Sequence, residues 1–496
     1  MKSERLMWIA AVAVFAVAAS VVPLDAQGTR AHQKTKHHHY QLIDIGTFGG
    51  PSSYIVVDSQ VLTNPGTLVG WADTSTPESP QYCFSPGDGF ASHAFQWQDG
   101  TVTDLGTLPG GSSSQALWIT SNGLIAGNSE NGETDPLLPG FPEGRGVIWQ
   151  DGQIIDLGTF GGNESMAAAV NSRGQVVGSA LNTTADPFSL IDLLYCGSSN
   201  GTQARAFLWQ DGEKQDLGTL GTGNDALAFF VNEAGQVAGF AYTNSTPNLT
   251  TGLPTFHPFL WDKKKGMQDL GSFGGTAVIN LNGLNQRGQV VGSLTLPGDA
   301  TWHPFLWDGK RLIDLGTFGG DQDYGNWIND AGEVVGQGAF PGDQEFHGFL
   351  WKKGRKTDLG LLPGDFFSDT SVINSRGQIV GLSGNSTSSS AVLWEDGQIV
   401  DLNTLLAPGS GLTLYWALYI NDRGEIAAFG ADSSGNNHDV LLIPCDKNHP
   451  GIEGCDYSIV EESDSASVQP RTSGRMPPAA LLQGSNRFHF PRNRSK

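Results

Sequence analysis

An Asp-Leu-Gly-like turn recurs at Asp44, Asp104, Asp156, Asp216, Asp269, Asp314, Asp358 and Asp401, with successive spacings of 60, 52, 60, 53, 45, 44 and 43 residues. The shortest units converge on a period near 44, inside the range of about 40 to 50 residues expected for a four-stranded propeller blade. Each unit reads as two hairpins. The first carries Asn three residues before Gly in six of eight units, as at Asn171/Gly174 and Asn374/Gly377. Asn suits the first position of a type I turn, and Gly its fourth. The second hairpin turns at Asp-Gly in five units, at 99–100, 151–152, 211–212, 308–309 and 396–397. Both residues tolerate the left-handed backbone of a two-residue loop.

A tryptophan stands seven residues before the Asp of the turn at Trp97, Trp149, Trp209, Trp307, Trp351 and Trp394, and eight before it at Trp261. A large ring at one fixed site per unit suits the space between stacked sheets. The terminal pieces are complementary. Gln41–Gly46 matches a fourth strand with no first three before it, and His438–Pro444 matches a third strand with no fourth after it. Joined in one sheet they would pair both open edges. The sequence therefore predicts an all-β fold: an eight-bladed β-propeller, residues 41–444, closed by pairing of its N- and C-terminal strands.

The loops between second and third strands are long in the first four units, roughly 71–92, 128–145, 180–204 and 240–256, and short in the last four, as at 293–302 and 337–346. One half of one face is expected to stand raised, where binding function tends to reside. Asp88, Glu130, Glu133 and Asp135 lie on these loops as candidate ligand-face residues, with a glycosidase-like carboxylate pair as one use of them.

Lys2 and Arg5 precede an apolar run from Leu6 to Val22, followed by small residues near Ala26. This reads as a signal peptide over 1–26, making the mature protein secreted or extracytoplasmic, with no membrane span left after its removal. Residues 27–40 read as a disordered leader, and its His37-His38-His39 as solvated rather than metal-binding. Residues 445–460 form a Cys-containing extension and 461–496 a disordered tail. The four cysteines suit an oxidising compartment. The expected pairs are Cys445–Cys455 and Cys83–Cys196, although four cysteines allow three connectivities.

Acidic residues outnumber basic ones 50 to 28, for a net charge of −22. Such a surface repels phosphate backbones, so nucleic acid is not an expected partner. His-Glu-x-x-His, Gly-x-Ser-x-Gly and phosphate-binding glycine loops are all absent, so no catalytic, cofactor or metal residue is assigned. His93, His257, His303, His347 and His438 open the third strands of their units. Their repetition points to a structural hydrogen bond with the Asp of the neighbouring fourth strand, as between His303 and Asp314. Asp321-Gln322-Asp323-Tyr324-Gly325 offers two carboxylates but too few oxygens for calcium, and reads as a solvated loop.

The segments His-Ala-Phe-x-Trp (93–97), Arg-Ala-Phe-Leu-Trp (205–209) and His-Pro-Phe-Leu-Trp (257–261, 303–307) resemble the HAF family of extracellular bacterial repeats. So do the companion Asp-Leu-Gly-Thr-Leu/Phe-Gly-Gly and Ile-Asn-x-x-Gly-x-Val-Val-Gly elements. The resemblance spans residues 41–444. Thr63 and Thr120 replace Asn in the first two units, and Gly146-Val147-Ile148-Trp149 departs in the second. The resemblance implies export and repeat structure, but no activity. The sequence-based expectation is a monomeric, non-enzymatic binding or scaffold module for an extracellular glycan or protein, without cofactor. The alternative is a propeller hydrolase or lyase acting on extracellular polysaccharide.

Overall fold

The computed structural model describes residues 36–78, 88–191, 201–407 and 410–461. The expected signal peptide, most of the leader, Cys83, Cys196 and nearly all of the tail lie outside the described residues. Strands dominate. Each repeat unit forms a four-stranded antiparallel sheet in simple up-and-down order, as in unit 1 (Gly49–Tyr54, Leu68–Pro77, Phe90–Gln98 and Thr101–Asp104). The inner strands carry most of the buried residues, as in Ala226–Val231, and the fourth strand is largely exposed, as in Thr101–Asp104. This is the sheet arrangement of a β-propeller.

The turn chemistry follows the sequence. Gly174 donates its N–H to Asn171 O at 3.0 Å and adopts φ 75°. Thr63 and Thr120 hold the same turn through Gly66 and Gly123. Their substitution therefore leaves the turn hydrogen bond intact. Asp99 and Gly100 both have positive φ, at 49° and 81°. The repeated tryptophans pack between units, and Trp149 Nε1 reaches back to Leu105 O of the preceding unit at 2.9 Å.

The repeated Asn also ties unit to unit. Its side-chain amide donates to the next unit's turn carbonyl from Asn171 to Asn232, Asn232 to Asn285, Asn285 to Asn329, Asn329 to Asn374 and Asn374 to Asn421, at 3.0–3.1 Å. Asn421 then donates to Thr63 O of unit 1 at 2.8 Å. Tyr40–Asp44 pairs antiparallel with Asn437–Pro444, in the register Tyr40↔Pro444 to Asp44↔Val440. It thus supplies the fourth strand of the sheet begun by Thr413–Ile420 and Ile426–Ala431. Asn437 Nδ2 and Asp439 N–H bond to Ser53 of unit 1.

The His–Asp pairs form as expected. His93–Asp104, His257–Asp269, His303–Asp314, His347–Asp358 and His438–Asp44 all lie within 2.8–3.0 Å, and Arg205 replaces His opposite Asp216. The order at the N-terminus begins earlier than expected. Lys36–His38 pairs with Ile459–Glu461, and His37 is buried 3.6 Å from Glu395, so the solvated-leader reading does not hold for these residues. The disulfide Cys445–Cys455 joins residues ten apart just beyond the strand Asn437–Pro444. By loop-closure entropy, removing it with Cys445→Ala/Cys455→Ala costs about 2–3 kcal/mol. Urea titration measures this, and a loss above about 5 kcal/mol would mean the bridge does more than pin the final strand.

One repeat position carries a local misfit. Two residues before the turn Asp, sibling units place Met267 or Leu312, whereas units 3 and 6 place Lys214 and Lys356. Lys356 is compensated: its ammonium donates to Asp323 at 2.5 Å and Gly316 O at 2.7 Å, over the Phe349 ring. Lys214 Nζ is buried between the Phe160 and Phe207 rings without a hydrogen-bond partner, and burial lowers its pKa to about 8. Lys214→Met is expected to stabilise the protein by about 1–2 kcal/mol, as an unsatisfied buried donor is removed. Lys356→Met should destabilise it by stranding Asp323. Thermal melts of both variants check the contrast.

Candidate functional site

The raised face is built by longer strands as well as loops. Second strands run 10, 10, 10 and 11 residues in units 1 to 4 and six residues in units 5 to 8. The four carboxylates expected there do not converge on one site. Asp88 accepts from Tyr54 Oη at 2.8 Å. Asp135 is fully buried and accepts from Leu137 N–H and Asn163 Nδ2, and burial raises its pKa. Glu133 is exposed at the rim of a groove.

Glu130 is buried, accepts the N–H groups of Ser112 and Ser113 at 2.8 and 3.1 Å, and lies beside Glu78. Glu78 accepts from Ser113 Oγ at 2.6 Å, and burial first, then Glu130, pushes its pKa up to about 7. Glu78 ties the end of the second strand of unit 1 to unit 2 through Ser113. Glu78 was not legible as a partner because the two residues lie in different units.

A better-formed cavity lies on the same face but over the short-loop half, between units 6, 7 and 8, with a volume of about 510 Å³. Tyr324, Asp369 and Trp416 occupy one repeat position, each pairing with the second strand of its own sheet, opposite Gln337, Leu382 and Phe429. The propeller thus aims the same position of three successive first strands into one space. Phe346, Phe366 and Phe367 add apolar surface, and Gln322, Asn326, Gln337, Gln344 and Asp343 add polar groups. Phe366 is among the exposed large hydrophobics.

Asp369 is the chemically distinctive group. Burial pushes its carboxyl up to about 7, against the lowering effect of a hydrogen bond from Asn326 Nδ2 at 2.8 Å. A carboxyl that still holds its proton near neutrality can act as a general acid. Nothing in the cavity marks Asp369 in isolation. The signal was available only by comparing one position across units, where Tyr, Asp and Trp succeed one another. The Asp321–Gly325 segment is not a solvated loop: Asp323 is fully buried against Lys356, while Gln322 and Tyr324 line the cavity. No cluster of three or more potential metal ligands occurs among the described residues, and no described helix is long and apolar enough to cross a membrane.

No family model and no curated protein matches the chain. Solved structures do. A puromycin-hydrolysing peptidase of Mycobacterium tuberculosis matches at 13% identity and TM-score 0.42, over 80% of this chain and 62% of its own. The β-propeller domain of the Trilobed protease of Pyrococcus furiosus, described as having an open velcro topology, matches at 9% and 0.39, over 74% of this chain and 97% of its own. Dipeptidyl peptidase 4 of Porphyromonas gingivalis matches at 12% and 0.41, over 74% and 56%. The chain spans under two thirds of the length of the first and third of these. The expectation of a non-enzymatic binding or scaffold module finds no support in these propeller-containing neighbours, which are peptidases. At these identities and TM-scores the likeness ends at the fold, and no residue role passes from them to this chain.

Proposed function

We propose that the chain is an exported, HAF-type, eight-bladed propeller, closed by the pairing of Tyr40–Asp44 with Asn437–Pro444, that hydrolyses a neutral extracellular polysaccharide in the cavity between units 6 and 8. The observation that carries the reading is Asp369, a carboxyl with its pKa at about 7 in a cavity lined by aromatic rings and amides. Aromatic faces stack on the apolar faces of sugar rings, and amides bond their hydroxyls. Asp369 donates its proton to the leaving glycosidic oxygen, and Asp343, the other carboxylate of the lining, polarises water. The described lining contains no Arg, Lys or His, so it has nothing to neutralise a uronate carboxylate for elimination. That favours hydrolysis over the lyase route.

The test is release of reducing ends from a panel of neutral glucans, galactans, xylans and mannans by wild type and Asp369→Asn. The variant keeps the hydrogen-bonding shape but cannot donate the proton, so turnover should fall by about 10²–10⁴ with no loss of melting temperature. Full activity in Asp369→Asn, or activity confined to uronate polymers with unsaturated products, would overturn the assignment.

A further inference from the structure

A second cavity of about 300 Å³ opens at the centre of the opposite face, among the Asn-x-x-Gly turns. We infer that this axial well binds an organic cation with an apolar body, of the alkylammonium class, and that it is separate from the hydrolytic cavity.

The walls come from a recurring bulge. In each of units 2 to 8 the register of the first strand slips near its end. A bulge redirects the side chain that follows it. Here the redirected residues include Trp118, Phe230, Trp327 and Tyr419, all of which line the well. They pair edge to face, Trp118 with Phe230 at 5.9 Å and Trp327 with Tyr419 at 6.0 Å between ring centres. Units 3 and 5 place the small residues Ala169 and Gly283 at this position, and Gly283 also lines the well.

The mouth is acidic beyond what the fold needs. In five units the residue after the turn Asn (or Thr63) accepts the N–H of its counterpart in the preceding unit. Gln286 Oε1 does this for Glu233, and Asn64 Oδ1 for Asp422, both at 2.9 Å. An amide is therefore a sufficient cap. Glu233, Asp330 and Asp422 perform the same capping for Ser172, Gln286 and Ser375, yet each adds a full negative charge. The arginines that follow in the turns do not answer these charges. Arg173 Nη2 bonds Gln175 at 2.6 Å, and Arg287 and Arg376 lie against the glycine turns of the next unit at Gly332 and Gly424. None of the three carboxylates forms an ion pair among the described residues.

Aromatic walls beneath unneutralised carboxylates match one ligand chemistry, a desolvated cation carrying hydrocarbon. Sugars would use the rings but not the charge, and a small metal ion would use the charge but not the rings.

Calorimetric titration with choline, and with its neutral isostere 3,3-dimethylbutan-1-ol, tests the inference. One site is expected for choline, with the isostere at least tenfold weaker. Asp330→Asn/Asp422→Asn should weaken choline at least tenfold while keeping every cap, since Asn64 already serves in that role, so the melting temperature should hold. Equal binding of both probes, no binding at millimolar concentration, or an unchanged choline affinity in the double variant would overturn the inference. Glycan hydrolysis should not change in that variant, which separates this well from the proposed active site.

Discussion

Deleting Tyr40–Asp44 should unfold the protein or convert it to aggregates at room temperature, the largest effect of any short deletion. Five backbone pairings to Asn437–Pro444 go at once, with the His438–Asp44 contact at 3.0 Å. The exposed edge of Asn437–Pro444 is long and apolar, its Val440, Leu441 and Leu442 fully buried in the intact sheet. Such an edge recruits other chains. Size-exclusion chromatography and circular dichroism of the truncated protein report the outcome. Deleting residues 27–38 should do less but not nothing, because Lys36–His38 is paired and His37 buried. Unchanged stability and monomeric state after loss of Tyr40–Asp44 would contradict the closed ring.

The second large effect is a stability that rises on mild acidification. Burial, followed by Asp88, pushes Asp73 up to about 7, burial followed by Glu130 does the same to Glu78, and burial alone does it to Asp369 against its hydrogen bonds. Asp439, fully buried with neither carboxylate oxygen hydrogen-bonded, is also raised well above the usual carboxylate range by burial, and so is Asp225. For these groups the folded state binds more protons than the unfolded state between about pH 4 and their folded pKa. Their contribution is complete below about pH 4 and is lost as pH rises towards 7 and beyond. For a buried group such as Asp73, moving from pH 7 to 5 recovers on the order of 2 kcal/mol.

The His-paired carboxylates work in the opposite direction. Asp44 and Asp269 are held below the usual carboxylate range despite burial, by hydrogen bonds from His438 and His257, so their stabilisation fades only below about pH 4. His438 is raised, chiefly by its bond to Asp44, and adds stability on the acid side of its folded pKa. Reduced repulsion in a chain of net charge −22 adds to the trend. Melting temperature should therefore peak near pH 4–5 and fall by several degrees towards pH 8, and Asp73→Asn should flatten part of that slope. A melting temperature that climbs steadily from pH 5 to pH 8 would show that these carboxyls are not buried as described.

What the sequence disclosed and what it hid follow from the range of each interaction. The turns, strand order, inter-unit tryptophans and His303–Asp314 type of pair are set within a dozen residues, so period and turn chemistry sufficed. Complementary terminal strands were legible because each lacked a partner in its own unit. The proposed hydrolytic cavity was not legible. Tyr324, Asp369 and Trp416 lie about 45 residues apart and meet only because successive first strands point at one space. The long loops of units 1 to 4 drew attention to Asp88, Glu130, Glu133 and Asp135, but length alone does not make those side chains converge. Glu130 found its neighbour in Glu78, and Asp135 in Asn163, each across a unit boundary. Buried His37 was hidden by a leader composition that otherwise reads as solvated.

The most direct measurement of the central claim is the rate of reducing-end release from a cleaved neutral glycan across pH 4 to 9. With Asp369 as the proton donor, turnover should fall about tenfold per pH unit above about 7 in the wild type. Glu130→Gln should leave that limb in place, and Asp369→Asn should abolish it together with most of the activity. A rate that rises through pH 7, or a falling limb that survives in Asp369→Asn, would contradict the account.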